Sequence, residues 1–123
     1  MDKILVFTAT YNEAENIEDL IISVFEHLQD TEMLVIDDAS PDGTGNILRE
    51  LSQNYKQLNI IYRPRKLGLG TAHKLAMKYA IKNNFSILIT MDADFSHHPK
   101  YLKKMVSLMM NNDFVTGSRY IKG

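Results

Sequence analysis

Apolar and polar positions along the chain switch repeatedly between a period of two and a period near 3.6. Strand-like runs at Ile4 to Thr8, Met33 to Asp37, Leu58 to Tyr62, Ser86 to Met91 and Phe114 to Val115 are separated by stretches of helical spacing. The clearest helix carries Ile17, Leu20, Ile21, Val24, Phe25 and Leu28, an apolar stripe at intervals of three and four that lies against a sheet. Asn12 and Glu15 stand at the spacing of a capping box for it. Further helices follow from Ile47, Leu48 and Leu51, from Ala72, Leu75, Ala76 and Tyr79, and from Leu102, Met105, Val106 and Met109. Strand and helix in alternation predict an α/β domain with a mostly parallel sheet covered on both faces. Its ligands belong outside the carboxyl ends of the strands.

Composition narrows the function more than the fold. A chain of 123 residues, 45% apolar, is the size of one domain with one core. Its 14 basic and 15 acidic residues leave a net charge of -1, which gives no global field to draw nucleic acid or an anionic membrane. Without cysteine there are no disulfides, thiolate nucleophiles or Cys-ligated zinc. Strand-like residues begin at Lys3, leaving no room for a signal peptide, and no apolar run approaches the ~20 residues of a membrane span. A cytoplasmic setting, or the cytosolic face of a membrane, is expected. The methionines read as core filler.

The predicted strand ends carry the chemistry. Leu88 to Asp92 is an apolar run that delivers Asp92 and Asp94 to one strand end, one residue apart, so that both carboxylates project the same way and Ala93 away. Such a pair suits Mg²⁺ or Mn²⁺. Helix capping and loop N–H acceptance would use the same two residues. At the first strand end, Thr10-Tyr11-Asn12-Glu13 offers an aromatic face for a base or sugar and a carboxylate to accept from it; a capped helix start with an exposed Tyr is the plainer reading. At the second, Asp37 and Asp38 are adjacent and must face opposite ways, so one serves a nucleobase or ribose and the other the loop. Asp42, Gly43 and Thr44 are accounted for by turn and cap chemistry. At the third, Arg63-Pro64-Arg65-Lys66-Leu67-Gly68-Leu69-Gly70-Thr71 joins cations to glycines before a helix, either approaching phosphates or forming a solvated basic loop. Its spacing is not that of a P-loop. His97, His98 and Pro99 fit a helix entry better than further metal ligation.

Taken in order, five segments of the chain resemble the dolichyl-phosphate (polyprenyl-phosphate) mannosyltransferases of inverting glycosyltransferase family 2. They are Thr10 to Glu13, Asp37 to Thr44, Lys66 to Ala72, Met91 to Pro99 and Gly117-Ser118-Arg119-Tyr120. The resemblance implies a GT-A (Rossmann-like) three-layer fold over residues 1–123, a single nucleotide-sugar-binding glycosyltransferase domain. It implies a GDP-mannose donor, a divalent metal and a polyprenyl or dolichyl phosphate acceptor, with inversion at the anomeric carbon. By position, Ala9, Tyr11, Glu13, Ile36 and Asp38 would surround the nucleoside. Asp92, Ala93 and Asp94 would serve the diphosphate, with Asp92 and Asp94 on the metal. Asp94 and Arg119 would be catalytic, the Arg119 guanidinium facing transferring charge. A lipid phosphate is largely dianionic at neutral pH and attacks without a general base.

The chain departs from the family pattern at three places. Ala9 stands where Pro is usual and Ala39 where Gly is usual. The chain also stops at Gly123, where the resemblance implies about as many residues again. It therefore reads as truncated at the C-terminus, with membrane contact left to the missing part or to a partner subunit, at the endoplasmic reticulum in a eukaryote. The alternative is a catalytically silent nucleotide-sugar-binding fragment or module of the same fold. A dehalogenase-type phosphatase using Asp92 and Asp94 needs a later lysine and acids at downstream strand ends, for which the 29 residues after Asp94 leave little room, and a phospho-receiver would carry its acid pair on the first strand.

Overall fold

The computed structural model describes residues 3–28, 30–92 and 119–122. The elements run β1 (Ile4–Thr10), α1 (Ile17–His27), β2 (Glu32–Asp38), α2 (Thr44–Asn54), β3 (Leu58–Arg63), α3 (Leu69–Lys82), β4 (Ile87–Asp92) and β5 (Arg119–Lys122). The strands form one sheet in the order β3-β2-β1-β4-β5. All neighbours in it are parallel except β4 and β5. The parallel α/β sheet follows the predicted pattern, and each of the first four strands extends one or two residues further toward its carboxyl end. The predicted strand at 114–115 and helix through 102–109 lie outside the described residues. β5 was not anticipated.

Strand alternation divides the core in two. Val6, Met33, Val35, Ile87, Ile89 and Met91 face α1 and α2, packing with Ile17, Leu20, Ile21, Val24, Leu48 and Leu51. Leu5, Phe7, Leu34, Ile36 and Leu88 face α3, whose Ala72, Ala76 and Ala80 bring the helix close to the sheet. The result is three layers, helix on sheet on helix. Ile17, Leu20, Ile21 and Val24 are fully buried, and each contributes about 1.5–3 kcal/mol of apolar burial. Leu20→Ala would remove most of one such contribution and leave a cavity.

Local chemistry fixes the helix ends. α3 stops in a Schellman arrangement: the Phe85 N–H reaches the Ala80 carbonyl (2.9 Å), and the Asn84 N–H reaches that of Ile81 (3.2 Å). Asn84 takes the left-handed conformation there (φ 62°), and Phe85 stacks back on Tyr79. The capping box predicted at Asn12 and Glu15 is not formed. α1 begins at Ile17 with Asn16 as its N-cap and no side-chain cap bond, because Asn12 lies in a left-handed turn (φ 59°) well before the first helical residue.

The topology places the site. From β1 the chain steps outward through β2 to β3, with α1 and α2 on one face, then returns by α3 across the other face to β4 on the far side of β1. The strand order therefore reverses between β1 and β4. Ligands of open parallel sheets bind in the crevice outside the carboxyl ends at such a switch point.

Candidate functional site

Four parallel strands end on one rim. The register sets Thr10 beside Asp37, Asp38 beside Arg63, and Ala9 beside Asp92. Asp92, the first carboxylate of the proposed metal pair, thus closes β4 at the switch point itself. β5 runs antiparallel to β4 and opens at the same rim, with Arg119 paired to Thr90. Two residues of strand, roughly 7 Å, separate that register position from Asp92. Ala93 and Asp94 lie outside the described residues, as do Ser96 to Pro99.

Asp37 and Asp38 divide their work as strand alternation requires. Asp37 is buried on the α1/α2 side, where its Oδ1 accepts from Thr10 Oγ1 (2.7 Å) and Ser40 Oγ (2.6 Å). Its Oδ2 accepts from the Ser40 N–H (3.2 Å). It is the loop-fixing member. Asp38 is buried on the α3 side and is held by Arg63, whose Nε donates to Oδ1 (2.5 Å) and Nη2 to Oδ2 (2.7 Å). The Leu67 N–H adds a third bond (3.1 Å). Burial acts to raise the Asp38 carboxyl. The Arg63 hydrogen bonds, the Leu67 N–H, the Arg63 charge and the Gly68 N–H together outweigh it and hold the group below its ordinary value.

Arg63 is the residue that sequence reasoning missed. In the sequence it opens a basic loop, whereas in the fold it is buried, with Nη1 donating to Thr71 Oγ1 (2.9 Å) and Nη2 also to the Gly68 carbonyl (3.1 Å). It ties β2, β3 and the entry to α3 into one unit. Asp38 and Arg63 each stand one residue past a predicted strand end, and pairing them required the register. Arg65 and Lys66 are exposed, so the basic-loop reading holds for them. Lys66 Nζ lies 4.6 Å from the centre of the Tyr11 ring, over one of its faces.

Ala9 and Ile36 line the α3 side of the rim next to Asp38, and Tyr11, two residues beyond Ala9, is exposed. Glu13 follows in a turn whose carbonyl accepts from the N–H groups of Asn16 and Ile17. Of the residues expected around a nucleoside, Ala9, Ile36 and Asp38 are thus brought together at the ends of β1 and β2, and Tyr11 follows β1 directly. Ala39, between the second Asp and Ser40, has φ 50°, a left-handed conformation that glycine adopts without strain.

A parallel α/β sheet whose strand order reverses between β1 and β4 is of the doubly wound class, which binds ligands at that point of the rim. The chain belongs to Glycosyl transferase family 2, whose profile matches residues 5–123. It is 36% identical over 121 residues to a polyprenol monophosphomannose synthase of Mycolicibacterium smegmatis, covering 97% of this chain and 46% of that protein. It is 31% identical over 121 residues to an undecaprenyl-phosphate mannosyltransferase of Micrococcus luteus, covering 98% and 50%. The chain therefore spans about half the length of these relatives. Among solved structures, the mannosyltransferase PcManGT of Pyrobaculum calidifontis, in complex with GDP-Man and Mn²⁺, superposes with a TM-score of 0.66 at 28% identity, over 75% of this chain and 27% of that one. The fold is of the GT-A type.

Proposed function

We propose that residues 1–123 form one nucleotide-sugar-binding domain of a glycosyltransferase that passes mannose from GDP-mannose to a polyprenyl or dolichyl phosphate with inversion. The observation that carries the reading is the gathering of Ala9, Ile36, Asp38 and the Asp92 strand end on the switch-point rim, with Tyr11 directly after β1. The names of the two mannosyltransferase relatives and of the GDP-Man complex support it.

In this reading Tyr11 offers its ring to the base, while Ala9 and Ile36 floor the nucleoside and keep water from its apolar face. Asp38 and Glu13 accept from ring N–H or ribose hydroxyl groups. Asp38 is prepared for that as an ionised acceptor, because Arg63 and the Leu67 N–H hold it in that form. Asp92 and Asp94 supply the hard oxygen donors that Mg²⁺ or Mn²⁺ takes, and the end of β4 at the switch point suits a shared diphosphate. The ion, when bound, offsets charge on the departing nucleoside diphosphate. Arg119 opens β5 beside β4 and would stabilise charge moving between acceptor and donor phosphates. Among the described residues no helix is long and apolar enough to cross a membrane, and a cytosolic membrane face fits a lipid-phosphate acceptor.

Calorimetric titration with GDP-mannose, with and without Mn²⁺, tests the donor site. Metal-dependent binding of GDP-mannose in preference to UDP-glucose is expected, and binding of neither sinks the reading. Transfer to a polyprenyl phosphate then separates an enzyme from a silent binding module.

A further inference from the structure

The β1–α1 turn is held by side chains from the next junction. Three successive backbone donors each find one: Asn12 N–H to Ser40 Oγ (3.0 Å), Glu13 N–H to Thr44 Oγ1 (3.1 Å) and Ala14 N–H to Asp42 Oδ2 (3.1 Å). These acceptors are themselves oriented. A hydroxyl has a single proton to give, and each hydroxyl here gives it to a carboxylate. Ser40 Oγ donates to Asp37 Oδ1, which Thr10 also holds, and Thr44 Oγ1 donates to Asp42 Oδ1. The remaining lone pairs on both oxygens are then available to the turn. Two Asp–hydroxyl pairs, Asp37–Ser40 and Asp42–Thr44, thus present acceptors to the backbone on which Tyr11 and Glu13 are mounted. The Asp42 carboxyl lies below its ordinary value, chiefly through the Thr44 hydroxyl.

We infer that Ser40, Asp42 and Thr44 are positioning residues for nucleotide recognition, setting Tyr11 and Glu13 against the nucleoside through the backbone of the turn without touching the ligand. Read from the sequence, the same residues needed no more than turn and cap chemistry, and they do perform it: Gly43 has φ 92° and Asp42 accepts the Thr44 N–H. Their contacts across to the first junction go beyond that need. Asn12 in its left-handed turn breaks the regular backbone pattern at this point, so the geometry of the turn comes from those contacts rather than from secondary structure. Thr44 is fully buried, which leaves no water to replace its hydroxyl.

The inference rests on the donor-site reading, and GDP binding in the presence of Mn²⁺ tests the two separately. Thr44→Val, which keeps shape and loses the acceptor, is expected to weaken GDP about tenfold, while Thr44→Ser stays within about twofold of wild type. Leu51→Ala, a core cavity about two turns further along α2, is the stability control: it lowers Tm at least as much yet leaves GDP affinity unchanged. Amide exchange at Asn12, Glu13 and Ala14 should accelerate in Thr44→Val and not in Thr44→Ser. Wild-type GDP affinity in a folded Thr44→Val, or an equal loss in Leu51→Ala, overturns the positioning role and leaves the donor site standing. A wild-type chain that binds neither GDP nor GDP-mannose overturns both.

Discussion

Arg63 grips both carboxylate oxygens of Asp38 from the neighbouring strand, where the two residues are register partners at the ends of β3 and β2. The pair is buried, and its remaining bonds reach Leu67, Gly68 and Thr71 at the entry to α3. One guanidinium therefore sets the spacing of two strands and a helix N-terminus around a carboxylate proposed to read a nucleoside. Removing one partner of such a pair strands a buried charge, and Arg63→Met is expected to cost about 3–5 kcal/mol. That is a large part of the ~5–15 kcal/mol by which a domain is stable. Urea denaturation of Arg63→Met and of the double variant with Asp38→Asn measures it. The second substitution should recover part of the loss by removing the unpaired charge.

The same pair makes stability depend on acid. Asp38 has its folded value below the ordinary 3.8, so the unfolded chain binds the proton first as pH falls. Its contribution is complete above that ordinary value and is lost as pH drops through the lowered folded value. Between about pH 6 and about pH 2.5 the Tm of the wild type should fall more steeply than that of Asp38→Asn. Parallel curves would remove Asp38 from the acid transition.

Ala39 occupies a left-handed conformation at φ 50°. A Cβ costs about 1–2 kcal/mol there, and glycine gives back about 0.4–1 kcal/mol through its freer unfolded chain. Ala39→Gly should therefore stabilise by about 0.5 kcal/mol, a rise of ~2 °C in Tm. Ala39→Val should lower Tm, since a β-branched residue tolerates this region least.

Lys66 covers one face of Tyr11. A base stacking on that face must displace the ammonium, at the cost of a cation–π contact worth about 0.5–1 kcal/mol at an exposed site. Lys66→Ala is expected to tighten uncharged guanosine by about two- to fivefold. GDP should gain less, because the displaced lysine stays near its phosphates. Calorimetry with both ligands separates the terms; weaker guanosine binding would show that Lys66 supports the base instead of competing with it.

Asp92 ends β4 beside Ala9. If it holds the proposed ion, Asp92→Asn should abolish the difference in GDP affinity between Mn²⁺ and chelator, a change of roughly tenfold or more for a lost charged contact. Metal-free affinity should be kept. A retained Mn²⁺ effect would move the ion to other ligands.

The sequence by itself determined the layers and the rim. Periods of two and 3.6 are local properties of the backbone, so the alternation of strands and helices, the buried stripe Ile17-Leu20-Ile21-Val24 and the helical spacing of Ala72 and Ala76 were legible without coordinates. So was the clustering of Tyr11, Asp37, Asp38 and Asp92 at strand ends, and the opposed facing of the two adjacent carboxylates.

Tertiary structure alone decided who meets whom. Register is a long-range property: it made Arg63 the partner of Asp38 across 25 positions of sequence and turned a basic loop residue into a buried clamp. It likewise carried Ser40, Asp42 and Thr44 to the Asn12–Ala14 backbone, displacing the expected Asn12–Glu15 capping box. The antiparallel seat of Arg119 beside β4 was equally closed to local reading, whereas the left-handed residue at position 39 was hinted at by the glycine usual there. Propensity acts within a few residues, whereas the buried polar groups of this rim had to be satisfied by whatever the folded sheet brought within reach.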